Sequence, residues 1–370
     1  MKIMFCIGDL RKGGAERVIT NLSNELCKKN SVTILTTTNK RIEYIVDNRV
    51  RLISIDNDSK KETEKFILYR NLYRIKRMKE IILNQKPDII VSFLKEPCAR
   101  ALILKTFSRK IKKIPLIISI RNNPSNVFNK KIDKIMLKTI YNNADGYVFQ
   151  TEEAKEYFNK EIQERSAIIA NPINPEFICE RYNGIRENKI VSVGKLMKQK
   201  NHKLLIEAFA NINRKYPEYK LLIYGEGELR EKLEERIRAL KLEDKILLKG
   251  NSDNIKKEIY KSKIFVMTSD YEGMPNALME AMAMGIPCIS TDCPCGGPKS
   301  LIENEKNGLL IEVGDLNELQ KSIIKLIEDN DLANKISKNA NKIGQVFTTE
   351  KINQKWIEYI NKIQEIRICK

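Results

Sequence analysis

The chain has 370 residues, 67 Lys and Arg against 48 Asp and Glu, a formal net charge of +19, and eight cysteines. That length exceeds what one hydrophobic core comfortably fills, so two domains are expected, and no run of eighteen apolar residues offers a membrane-spanning helix. The cysteines are scattered without a Cys-x-x-Cys pair, and Cys293 and Cys295 are too close for an ordinary disulfide or a zinc knuckle, so a reduced cytoplasmic protein is expected.

Lys2–Ile7 reads as a short buried strand rather than a signal peptide, because no cleavage-site pattern follows it. The loop Gly8-Asp-Leu-Arg-Lys-Gly-Gly-Ala-Glu-Arg17 leads into a helix through about Lys28, and Val32–Thr37 reads as the next strand. Gly13 and Gly14 stand where strand passes to helix, and there glycine lets a backbone approach a ligand closely. The spacing is not the Gly-x-Gly-x-x-Gly dinucleotide fingerprint.

Phe66 to Leu83 follows a helical period, with Leu68, Leu72, Ile75 and Ile82 expected on one face and Arg70, Arg74 and Arg77 on another. A second basic stretch, Lys105 to Lys113, mixes cations with Phe107 and Ile111. Residues 65–113 together hold fourteen cations and three anions. Such a concentration suits an anionic bilayer, where each cation near the surface adds ~1 kcal/mol, or simply a solvated lysine-rich face. No nucleic-acid reader motif accompanies the charge.

Asp88–Phe93 and Leu116–Ile120 read as strands, and Arg121-Asn-Asn-Pro124 follows the second at the strand end where open α/β sheets carry ligand loops. Ala144 to Thr151 is a further strand with a polar end. Ile168-Ile-Ala-Asn-Pro-Ile173 and Asn174-Pro175 form a proline-punctuated connector. The domain boundary is placed there, giving 1–173 and 174–348.

The second half restarts the pattern. Ile190–Val193 is a strand, and Gly194-Lys-Leu-Met-Lys-Gln-Lys-Asn-His202 leads into a helix from Leu204. Lys220–Tyr224, Ile246–Gly250 and Ile264–Met267 are further strands. After the last of these, Glu272 and Gly273 turn the chain, Pro275 suits a first helical position, and Ala277 to Met284 continue as helix. The helix N-terminus near Met274–Asn276 collects unpaired N–H groups and partial positive charge, so it accepts anionic oxygens. Glu272 and Glu280 would repel phosphate, and hydroxyls are their natural partners. A ligand carrying both phosphate and hydroxyls, such as a nucleotide-sugar, meets both demands.

Glu272 and Glu280, with seven residues between them inside Glu-Gly-Met-Pro-Asn-Ala-Leu-Met-Glu-Ala-Met-Ala-Met-Gly-Ile-Pro, resemble the paired-glutamate motif of the retaining glycosyltransferases of family 4. The resemblance implies an α/β, GT-B fold: two Rossmann-like domains with parallel sheets facing an interdomain cleft, donor in the C-terminal half, acceptor in the N-terminal half. It also implies that the last helix, within 349–370 and containing Trp356, joins the first domain. By the same resemblance Lys195 and Lys200 match the family's two diphosphate-binding cations, the first being an arginine in most members. Glu272 would hold hydroxyls of the transferred sugar and Glu280 those of the ribose, with Gly13, Gly14, Gly273, Met274, Pro275 and Asn276 lining the donor.

Many family members carry a cleft histidine after the strand that ends near Ile120. This chain has only His202, elsewhere, and its Arg-Asn-x-Pro version is similar to the subgroup that builds bacterial surface polysaccharides and N-acetylgalactosamine-containing oligosaccharides. Arg121 would touch the donor or the acceptor diphosphate, or serve as a structural arginine. The resemblance further implies a UDP-sugar donor, a glycan or polyprenyl-diphosphate-linked saccharide acceptor, no metal and no cofactor. Placement at the inner face of an anionic cell membrane then follows from the basic segments. Two other readings stay open: a nucleotide-sugar 2-epimerase on the same scaffold, and a non-enzymatic basic binding protein.

Overall fold

The structure, a computed structural model, describes residues 1–11, 13–38, 42–56 and 67–368. The chain forms two compact units, Met1–Asn171 with Glu350–Lys370, and Pro172–Thr349.

The first unit is a seven-stranded sheet in the order β3-β2-β1-β4-β5-β6-β7. Its strands are β1 (Lys2–Ile7), β2 (Ser31–Thr36), β3 (Arg51–Ser54), β4 (Ile89–Phe93), β5 (Leu116–Ser119), β6 (Gly146–Phe149) and β7 (Ser166–Ile168). Every pairing is parallel, with Ile3 opposite Val32 on one side and Ile89 on the other. A parallel sheet covered on both faces needs near-continuous apolar strands, and β1 and β4 supply them: Ile3 to Ile7 and Ile89 to Phe93 are buried. The short outer strands β3 and β7 are only partly buried and lack that signature, which is why sequence reasoning passed over them. From β1 the chain steps outward to β2 and β3, then returns past β1 to β4. The switch point, where such sheets open a crevice at their strand C-termini, therefore lies between β1 and β4.

The helix Thr349–Ile368 completes this unit. Trp356 is fully buried and stacks on Phe93 with ring centroids 5.2 Å apart. Tyr359 Oη donates to the Arg165 carbonyl at 2.6 Å and accepts from the Tyr147 N–H at 2.9 Å. Gly146 permits this approach, because a Cβ there would stand 2.7 Å from Tyr359 Oη.

The helix Ile67–Gln85 does not present the faces its periodicity suggests. Met78, Ile81 and Ile82 are buried, but Leu72 is 59% and Tyr69 62% exposed. Arg74 turns inward, its Nε donating to Asp56 Oδ1 at 3.0 Å. Arg77 pairs with Glu80 at 3.2 Å and Arg70 is half-buried. The expected stripe of Arg70, Arg74 and Arg77 opposite Leu72 is thus corrected: Asp56, just beyond β3, recruits Arg74 beneath the helix and turns Tyr69 and Leu72 outward. Lys65, Phe66 and the Leu68 side chain lie outside the described residues.

The second unit is a six-stranded parallel sheet in the order β10-β9-β8-β11-β12-β13. Here β8 is Glu187–Val193, β9 Lys220–Tyr224, β10 Ile246–Gly250, β11 Ser262–Met267, β12 Cys288–Thr291 and β13 Leu309–Ile311. Its core joins Ile190, Phe209, Leu221, Ile264, Val266 and Leu319. The chain again runs outward from β8 to β10 and returns on the far side at β11, so the switch point falls between β8 and β11.

Candidate active site

At that switch point the loops leaving β8 and β11 are bonded together. Thr268 Oγ1 donates to the carbonyls of Lys200 at 3.1 Å and Asn201 at 3.0 Å. The Asp270 N–H donates to the Gln199 carbonyl at 2.8 Å, and Gln199 Nε2 to the Tyr271 carbonyl at 2.8 Å. Asn201 Nδ2 donates to Asp270 Oδ1 at 2.9 Å. These bonds bring Lys200 Nζ onto Glu272 Oε1 in an ion pair, and Ser269 Oγ donates to the same oxygen at 2.7 Å. Glu272 is 7% exposed, so its charge is held by a cation and a hydroxyl rather than by water.

Two further loops brace this arrangement. The Glu272 N–H donates to the Pro294 carbonyl at 2.7 Å, and the Cys295 N–H donates back to the Glu272 carbonyl at 2.9 Å. Gly297 lies so close that a Cβ would stand 1.6 Å from the Gly273 carbonyl oxygen. On the other flank Gly225, at φ +138°, packs on the Gly194 carbonyl, and the Leu196 N–H donates to the Glu226 carbonyl at 3.0 Å. Cys293 is buried beside Glu272, and burial with that nearby charge pushes its thiol up to about 12. It is a protonated packing group.

The helix Asn276–Ala283 begins one residue later than its sequence suggests. Pro275 is the N-cap, extended at φ −79° and ψ 100°, not the first helical residue, and it offers no side-chain hydrogen bond to the helix amides. Leu278, Met279, Ala281, Met282 and Ala283 are buried, which leaves Asn276, Ala277 and Glu280 half-buried on the remaining face. Glu280 lies one turn beyond Asn276 on that face.

Lys195 is exposed at the mouth of the same loop, and no ion-pair partner for it is found among the described residues. His202 opens the next helix (His202–Asn213) and is buried. Burial pushes its imidazole down to about 4, so it is a neutral packing group at pH 7.

Lys195, Lys200, Glu272, Gly273, Met274, Pro275, Asn276 and Glu280 are thus brought together in the second unit. Gly13, Gly14 and Arg121 belong to the first. Gly13 lies after β1, beside that sheet's switch point; its N–H donates to Tyr44 Oη at 3.1 Å and its carbonyl accepts from that hydroxyl at 2.8 Å. Gly14 begins the helix Gly14–Leu26. Arg121, after β5, stacks over Phe93 at 5.8 Å and donates to the Ile169 carbonyl at 3.3 Å and to Asn171 Oδ1. No carboxylate faces it among the described residues, its Nε is buried without a partner, and burial pushes its guanidinium down to about 9. Ser269, Gln199, Asn201 and Gly297 were not anticipated from sequence. Ser269, three residues before Glu272, had the only local signal, since short polar side chains in such loops bond to neighbours a few positions on.

Two family profiles cover the chain. "Glycosyltransferase Family 4" matches residues 12–177 and "Glycosyl transferases group 1" matches 181–343. The chain is 30% identical over 338 residues to an uncharacterised glycosyltransferase of Methanocaldococcus jannaschii, a match spanning 78% of this chain and 82% of that one. It is 26% identical over 366 residues, 98% of this chain and 99% of the relative, to a Campylobacter jejuni α-1,4-N-acetyl-D-galactosaminyltransferase. That relative is named for an undecaprenyl-diphosphate-linked saccharide ending in N-acetylgalactosamine. Among solved structures, Anabaena HepE in complex with UDP superposes with a TM-score of 0.80 at 18% identity, covering 98% of this chain and all of that one.

Proposed function

The chain belongs to glycosyltransferase family 4 and is a glycosyltransferase of the GT-B fold, and from that premise we propose that it transfers a hexose or N-acetylhexosamine from UDP to a lipid-linked saccharide, with retention at the anomeric carbon. The observation that carries this reading is the Lys200–Glu272 pair set beside a helix N-terminus whose N-cap is a proline, at the switch point of the second unit. Cation and helix amides suit a diphosphate, and carboxylates on either side suit sugar and ribose hydroxyls. As the bond from C1 to the leaving phosphate breaks, negative charge grows on that oxygen, and Lys195, Lys200 and the helix amides oppose it. The acceptor hydroxyl bonds to C1 on the same face and gives its proton to the departing phosphate. Glu272 holds hydroxyls of the transferred sugar and Glu280 those of the ribose.

The names of several relatives support the acceptor class and the configuration. Two Campylobacter jejuni enzymes and one of Escherichia coli are named for α-transfer to undecaprenyl-diphosphate-linked sugars, and an α-linked product from an α-configured donor means retention. Arg121, a desolvated cation without a carboxylate, is suited to a diphosphate. Incubation with a panel of UDP-sugars, with and without a polyprenyl-diphosphate-linked saccharide, should release UDP only when acceptor is present. Isomerised nucleotide-sugar without acceptor would establish the epimerase instead. Because lysines supply the positive charge, we expect EDTA to leave the transfer rate unchanged; a loss restored by Mg²⁺ or Mn²⁺ would overturn that part of the reading.

We place the enzyme peripherally at the inner face of an anionic membrane. No helix among the described residues is long and apolar enough to cross one. The exposed residues of Ile67–Gln85 include Tyr69, Leu72, Lys76 and Lys79 beside Asn71 and Asn84, and Phe107 is 78% exposed beside Arg109 and Lys110. Cations with projecting apolar groups suit an anionic interface. The protein should co-sediment with anionic liposomes, weakly with neutral ones, and be released by salt. Replacing Lys76, Lys79 and Lys110 with glutamine should cut binding severalfold while sparing transfer to a soluble acceptor. Equal sedimentation with both vesicle types would overturn electrostatic docking.

A further inference from the structure

The second unit has another cavity at the opposite edge of its sheet, of about 690 Å³, within the size range of small-molecule sites. Because all six strands are parallel, the donor loops leave their C-terminal ends, and this cavity opens at the N-terminal ends. It is bounded by the approach to β8 (Arg181 to Arg186, then Asn188), by Lys263 at the start of β11, by Pro287 just before β12, and by Asn330, Ala333 and Asn334 on the first turns of the helix Asn330–Asn341. None of its lining residues belongs to the donor site.

The chemistry of this lining is one-sided. Three cations, Arg181, Arg186 and Lys263, face it together with four asparagines, and no Asp or Glu lines it. Arg186 is anchored: Nη1 donates to the carbonyls of Tyr260 at 3.2 Å and Ser262 at 3.0 Å, and Nη2 to the Gly285 carbonyl at 2.6 Å. Those dipoles engage both of its Nη groups but do not neutralise its charge, and burial pushes it down to about 10. Lys263 Nζ spends one proton on Asn330 Oδ1 at 2.7 Å, leaving two donors on its ammonium. Its pKa is lowered by burial and by Arg186. The Arg181 guanidinium has no hydrogen-bond or ion-pair partner among the described residues. Four acids lie next to the lining residues in sequence and none lines the cavity: Glu180 and Asp331 are exposed, Glu187 pairs with Lys189, and Asp329 caps the helix by accepting from the Leu332 N–H at 2.8 Å.

Clustered cations that are partly desolvated and unopposed repel one another, and an anion entering among them relieves that cost. The amides of Asn183, Asn188 and Asn334 add neutral donors, and the lining is too polar for an apolar guest. We propose that this cavity is a second anion site, taking a small phosphate-bearing molecule through Arg181, Lys263 and the asparagine amides, with Arg186 as the fixed charge behind them. Binding there is independent of the donor site.

Inorganic pyrophosphate is the probe, titrated calorimetrically into the full chain saturated with UDP, so that the donor loops are occupied. One saturable site should remain. Lys263→Met and Arg181→Gln should each weaken it at least tenfold, the effect of losing one charge-assisted hydrogen bond, with UDP affinity unchanged. Asn334→Asp is the milder variant: it is exposed, lies near a helix N-terminus where an acid is tolerated, and sets a negative charge at the rim. It should abolish the second site without lowering the melting temperature. Pyrophosphate binding that disappears when UDP is present, or that persists unchanged in Asn334→Asp, would overturn the proposal.

Discussion

Lys200→Ala should lower kcat/KM for UDP-sugar about a thousandfold, at the upper end of what one preorganised charge at a developing oxyanion contributes. The same substitution should also destabilise the second unit. Glu272 is buried and Lys200 is its cation, so alanine leaves a carboxylate with only the Ser269 hydroxyl beside it. Removing one partner of a fully buried pair costs about 3–5 kcal/mol; the Lys200 side chain is one-fifth exposed, so about 2 kcal/mol is the expectation here. The two effects separate in the double variant Lys200→Ala/Glu272→Gln, which removes the stranded charge. Its denaturation midpoint should return most of the way to wild type while its activity stays lost. A Lys200→Ala enzyme with near-normal kcat/KM would remove Lys200 from the chemistry. A double variant no more stable than Lys200→Ala would show that the stranded carboxylate is not the source of instability.

That coupling was not visible in the linear chain, although its members were. Lys200 was legible through the resemblance to family 4, and Glu272 through that resemblance and its place before a helix, but 72 residues separate them. Their contact depends on β8 and β11 being neighbours, which follows from the order in which the sheet is wound. Gly297 was silent for the same reason: only the fold shows that the Gly273 carbonyl occupies the space where a Cβ would be. The inner strands were legible because a doubly covered parallel sheet demands unbroken apolar runs, while β3 and β7 at the edges do not meet that demand. Periodicity located the helix Ile67–Gln85 but not its rotation. Hydropathy put Leu72 inward and Arg74 outward, whereas Leu72 is exposed and Arg74 is drawn in by its ion pair with Asp56. The start of the helix Asn276–Ala283 moved by one residue because proline serves as well at the N-cap as at the first turn, and only its ψ of 100° distinguishes them.

The two carboxylates should fail in different ways. Glu280 lies on the half-buried face of its helix, one turn beyond the N-terminus where the diphosphate is proposed to sit, and the role proposed for it is to hold a ribose hydroxyl. Glu280→Ala should weaken binding of UDP itself by about ten- to a hundredfold, the range for one hydrogen bond to a charged group. Glu272 precedes the helix and is tied to Lys200, and the role proposed for it is to hold the transferred sugar. Glu272→Gln keeps the size and an acceptor for Ser269 but loses the ion pair. Lys200 is then released toward the diphosphate, and UDP affinity should hold or rise. Turnover should fall about a hundredfold, because the sugar loses a charged hydrogen-bond partner whose hold matters most as its ring reorganises. Calorimetric titration with UDP and steady-state rates on the same preparations decide the assignment. Weaker UDP binding in Glu272→Gln with normal binding in Glu280→Ala would exchange the two roles.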